Sequence, residues 1–69
     1  MSTSEKIKAV EKMWQFLQGK KTSGSFWYER ARKFVRNLEN RLLKINEDDF
    51  VSALNYWQEI ILPNAPSQT

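Results

Sequence analysis

Neither histidine nor cysteine occurs in this chain of 69 residues. Their absence removes the commonest general base, the commonest metal ligand and the best thiol nucleophile. Disulfides and thiolate metal sites are excluded as well. Small secreted domains usually need disulfides, so a cysteine-free chain of this size points to a reducing interior, and the cytoplasm is the expected location. Glycine and proline occur only twice each. No Asn-Gly turn and no sustained alternation of apolar and polar residues is present, so strands are not expected. No apolar run approaches the ~20 residues needed to span a bilayer. Met1 to Val10 is interrupted by Glu5, Lys6 and Lys8 and lacks the apolar stretch of a signal peptide. A glycine-rich phosphate loop is missing too, and no motif specific to a known family stands out.

What the chain has is aromatic bulk. Three Trp, four Phe and two Tyr make 13% of the sequence, within an apolar content of 41%. Each such ring buries roughly 150–250 Å², enough to give a folded core despite the modest apolar total. The length allows one domain, and one that buries only about 60% of its unfolded surface. The formal charge is +3. That balance permits contact with nucleic acid or an anionic surface without requiring either.

Periodicity divides the chain into three helices at about 3–18, 26–44 and 47–62. In the first, Ile7, Val10, Trp14 and Leu17 fall on one stripe at spacings of three and four, widened by Met13. Ser2 and Glu5 have the spacing of a capping box, and Gly19 is a natural residue to follow the helix end. The polar segment 20–24 reads as a turn, with Ser25 as the next N-cap. Trp27, Ala31, Phe34, Leu38, Leu42 and Ile45 make the second stripe, flanked by Tyr28 and Val35. Asn46 caps the third helix, with Asp49 in the capping-box position and Ile45 and Phe50 placed as a hydrophobic staple. Glu47, Asp48 and Asp49 lie in its first turn, where the helix dipole favours carboxylates. Phe50, Leu54, Trp57 and Ile61 form its apolar stripe, and Pro63 ends it. The expected fold is an all-α, compact up-down-up three-helix bundle over residues 1–62, with 63–69 a short disordered, flexible tail.

This inventory leaves little for catalysis, and the chain is read as a non-enzyme with no cofactor and no metal. The carboxylates Glu47, Asp48 and Asp49 do not converge on one point. Consecutive helical residues point about 100° apart, so the three fan outward. Ser23-Gly24-Ser25 before a helix serves as a cap more readily than as an anion site. No small-molecule substrate is evident.

The second helix holds Arg30, Arg32, Lys33, Arg36, Arg41 and Lys44 against Glu29 and Glu39, whereas the third has four carboxylates and no cation. Taken as one continuous helix, Arg30, Lys33, Asn37, Arg41 and Lys44 fall within an arc of about 80°. Lys20 and Lys21 extend this stripe from the preceding connector. Three readings stand side by side: a solvated face steadied by a Glu29–Lys33 pair, a surface tracking a phosphate backbone, or a surface for an acidic protein. A helix-turn-helix with the third helix in the groove is rejected, because that helix begins with three carboxylates.

Some apolar residues stand off the stripes. Phe16, Leu43, Tyr56 and Ile60 either edge a wide core or make an exposed interface. The function expected from these features is that of a small helical interaction protein, a regulator or adaptor. It would self-associate through the apolar surplus, most simply as a homodimer, or bind another protein. The alternative is nucleic-acid binding along the second-helix stripe.

Overall fold

A computed structural model describes residues 2–20 and 26–65. The described chain is an all-α three-helix bundle: α1 spans Thr3–Gly19, α2 Phe26–Asn40 and α3 Glu47–Tyr56. The helical path of α3 continues through a π-helical turn, Trp57–Ile61, and a 3-10 turn, Leu62–Asn64.

The N-termini follow the local sequence. The Ser2 hydroxyl accepts from the Glu5 amide at 3.2 Å, and the Ser2 amide donates to the Glu5 carboxylate at 2.9 Å, so the capping box is complete. Asn46 caps α3, its side-chain oxygen accepting from the Asp49 amide at 2.8 Å. Ile45 before that cap and Phe50 after it are both buried.

The C-termini depart from expectation in three places. Gly19 is the last residue of α1 rather than the residue after it. Lys20 takes the cap position, its amide donating to the Leu17 carbonyl at 3.0 Å. The second helix ends at Asn40, short of the expected 44. There the hydrogen bonds tighten: the Arg41 amide is shared between Asn37 and Leu38, and the Leu42 amide reaches back only to Glu39. Residues 41–44 are turns, which bring Ile45 inward and leave Leu43 outward. The third helix, expected as one α-helix to 62, changes pitch at Trp57. The Leu62 amide donates to the Trp57 carbonyl, five residues back. Pro63 supplies the reason, because it has no amide hydrogen and in an α-helix its ring would strike the carbonyl four residues earlier. Widening the turn relieves that clash. Residues 63–65, expected to begin a loose tail, belong to or directly cap the 3-10 turn; 66–69 and the Ser25 cap lie outside the described residues.

The core joins Val10, Met13 and Leu17 of α1, Ala31, Val35 and Leu38 of α2, and Ile45, Phe50, Trp57 and Ile61. The inward face of α1 is therefore centred on Met13, with Ile7 exposed and Trp14 half-buried; α2 turns Val35 inward more fully than Phe34. Three contacts establish the up-down-up course. Lys6 near the start of α1 donates to the Ile45 carbonyl at 3.1 Å, just before α3 begins. Phe16 near the end of α1 meets both Trp57 and Trp27 edge-on, with centroids 6.0 and 6.3 Å away. Trp27 at the start of α2 reaches Ile61 at the far end of the third helical path. Hence α1 and α3 run parallel, and α2 runs against both.

Candidate docking groove

The groove is built from two rows of side chains on facing edges of α2 and α3. On α2, Phe26, Arg30, Lys33 and Asn37 follow one another at helical spacing, and all are exposed. On the third helical path, Tyr56 at the end of α3 and Ile60 in the π turn lie four residues apart, and both are exposed as well. Between the rows runs a concavity of about 410 Å³ lined by Arg30, Lys33, Phe34, Asn37, Tyr56 and Ile61. A second hollow of about 200 Å³, bordered by Phe26, Trp27, Arg30, Tyr56, Ile60, Ile61 and Asn64, adjoins it. Arg30, Tyr56 and Ile61 line both, so the two form one groove running toward the π-helical end.

Aromatic packing sets its floor. The Phe34 ring lies 5.2 Å from Tyr56 and 6.3 Å from Trp57, nearly parallel to the latter at 15°. At the upper end Phe26 is 78% exposed, with the Arg30 guanidinium 5.8 Å from its ring centre. A cation at that distance interacts favourably with the ring face.

The π turn shapes the groove's far wall. It brings Ile60 and Ile61 side by side at the lining, where Ile60 stays 45% exposed. Carbonyls at the end of a helix lack intrahelical amide partners. Here the Trp27 indole N–H donates to the Ile61 carbonyl at 2.7 Å, and the Asn64 side-chain amide donates to the Ile60 carbonyl at 2.6 Å. The first of these ties α2 to the third helical path across the groove's end.

The residues singled out in the sequence separate into groups. Arg30, Lys33 and Asn37 come together on one wall. Arg41 and Lys44 sit in the turns after α2, so the stripe does not continue along a single helix to 44. Lys20 lies over Phe16, its ammonium 5.5 Å from the ring centre, and Lys21 lies outside the described residues. Glu29 pairs with Arg32 at 3.2 Å, whereas the expected pair was with Lys33. Lys33 instead borders the groove. Tyr56 and Ile60 are brought together there. Phe16, 36% exposed, packs edge-on against Trp27 and Trp57 with the Lys20 ammonium near its ring, and keeps an exposed face. Leu43, 83% exposed, lies in the turns before α3, at the opposite end of the third helical path from Ile60.

Phe34, Ile61 and Asn64 were not anticipated as lining residues. Phe34 and Ile61 read as core positions from periodicity, and each does have one side in the core and another in the groove. Asn64 follows the proline expected to stop the helix, and nothing in its local pattern marks it.

Among the described residues, no group of three or more carboxylates is placed to hold a metal ion, and no helix is long and apolar enough to cross a membrane. Comparison of the chain with protein-family models, with curated proteins and with solved structures found no match.

Proposed function

We propose that this chain is a non-catalytic helical interaction module, a small regulator or adaptor, that receives an amphipathic helix of a protein partner in the groove between α2 and α3. The observation carrying this reading is the groove's composition: an aromatic and aliphatic floor of Phe34, Tyr56 and Ile61, with Arg30 and Lys33 on one rim. Helix-in-groove recognition needs an apolar trough for the anchoring side chains and a charged border to set orientation. A cationic border selects a helix whose polar face is acidic. The groove is open along its length, which suits a rod-like ligand better than a small molecule requiring enclosure. The cysteine-free composition makes the cytoplasm the setting of this proposal.

A second reading has one observation in its favour. Phe26 is largely exposed beside Arg30, and an aromatic ring next to a cation suits stacking on an unpaired base. Nucleic acid would then follow the α2 row.

Titration of the isotopically labelled full chain, followed by amide chemical shifts, separates the two. The ligands are a stapled helix with leucines on one face and glutamates on the other, its lysine-for-glutamate counterpart, and a single-stranded oligonucleotide. Saturable shifts at Arg30, Lys33, Phe34 and Tyr56 with the acidic helix, much weaker with the basic one, are expected. Lack of saturation with the acidic helix, or shifts confined to α1, overturns the proposal. Oligonucleotide binding that falls steeply with salt, in place of helix binding, transfers the groove to the second reading.

A further inference from the structure

The groove asks for an acidic amphipathic helix with apolar anchors, and the chain itself carries one. We propose that the occupant is a second copy of this chain, docked so that the α2 row of each copy lies against the third helical path of the other. This rests on the groove being a helix-docking surface.

Charge complementarity singles out this partner. From Glu47 to Ile61 the third helical path carries Glu47, Asp48, Asp49 and Glu59 and no cation. It exposes Tyr56 and Ile60, two anchors of the kind the trough accepts. The facing row on α2 contributes Arg30 and Lys33, with Arg41 following in the turn. A two-fold axis parallel to the helices fits the heights as well as the signs. Within one copy Arg30 is level with Tyr56 and Ile60, because all three border the same hollow. Since α2 and α3 run in opposite directions with the same rise, Arg41 is level with the Glu47–Asp49 turn. The axis preserves these levels, so Arg30 and Lys33 of one copy meet the level of Glu59 in the other, and Arg41 meets the level of the acidic first turn of α3. The same operation covers Phe26 and Ile60 of both copies at one end of the assembly. Two copies related this way make a closed, isologous pair in which every contact occurs twice. The association also adds apolar burial that a domain of this length lacks on its own.

The test is sedimentation equilibrium of the full chain over a concentration series, with charge reversals at exposed positions and circular dichroism to confirm that each variant folds. The wild-type chain is expected to show a monomer–dimer equilibrium that weakens with added salt. Arg30→Glu with Lys33→Glu, and separately Glu59→Lys, should each weaken self-association by about tenfold or more. Mixing these two variants should restore association, since both contact regions of the mixed pair then join opposite charges. A strictly monomeric wild-type chain, or a mixture no more associated than its components, overturns the inference. A monomer that still binds the acidic stapled helix overturns the second-copy occupant alone. A monomer that binds no helix overturns the groove reading with it.

Discussion

The two ends of the third helical path are finished in different ways. At its start, Asn46 satisfies the Asp49 amide from three residues away, and Phe50 drops directly into the core. At its end, Pro63 forbids regular α-geometry, the turn widens, and the Ile61 carbonyl is satisfied by the indole of Trp27 on another helix. One end is completed by its neighbours in sequence, the other by its neighbours in space. The locally completed end is ordinary bundle. The end that needs a distant partner is also where the groove opens, with Ile60 and Ile61 at its wall. π turns recur at functional sites, which agrees with the docking proposed for this end.

The largest blow to the comparison falls at the first end. Phe50 is fully buried, and Phe50→Ala should cost about 3–5 kcal/mol, read as a lowered denaturation midpoint. For a small domain that is a large part of the total stability, so the variant should be substantially unfolded without denaturant. Next comes the distant tie at the other end. Trp27→Phe keeps an aromatic ring but leaves the Ile61 carbonyl without its indole donor, at an expected cost of about 1–2 kcal/mol. Hydrogen exchange should accelerate most in the amides of Leu62, Asn64 and Ala65, and equal acceleration throughout the chain would show that the tie is not local to this end. Asn46→Ala removes the cap and should cost about 1 kcal/mol, with faster exchange concentrated in the first turn of α3. If the two variants loosened the same amides, the contrast between locally and distantly completed ends would fail.

The smallest effect is a pH dependence at the start of α1, another locally finished end. The hydrogen bond between the Ser2 backbone amide and the Glu5 carboxylate is the main influence holding that group below the ordinary glutamate value. A depressed folded-state value stabilises the fold above the unfolded-state pKa, and the contribution is lost as the pH falls through the folded-state value. Acidification should therefore loosen the first turn of α1 slightly, because the carboxylate is fully exposed. Glu5→Gln should flatten this local pH response in amide exchange, and an unchanged response would assign it to another group.

Much of the fold was legible from residue order. The caps at Ser2 and Asn46 follow from short-range hydrogen bonding, and the three helices from apolar spacing at the helical period. The helix ends were less legible. Asn40 ends α2 because the next amides turn to tighter bonds that let Ile45 reach the core, and residue type at 41–44 does not forbid continuing the helix. Of the groove, both exposed walls were visible in outline: Arg30, Lys33 and Asn37 as a stripe, Tyr56 and Ile60 as residues off the core line. Their adjacency was hidden, because periodicity orders residues around one helix and carries no distance between helices. For the same reason the contacts of Phe16 with Trp27 and Trp57 could not be read from its position on α1.

The sequence by itself determined the helical class, the first turns of α1 and α3, the separation of basic and acidic charge onto different helices, and the lack of thiol and imidazole chemistry. Each depends on residue type or on interactions a few positions apart. Tertiary structure alone decided what the off-stripe residues lie against, which carbonyl the Trp27 indole satisfies, and that Arg30 of the cationic row borders the same hollow as Tyr56 and Ile60. Those outcomes depend on how three helices pack, and packing is settled by the joint fit of side chains distant in the chain.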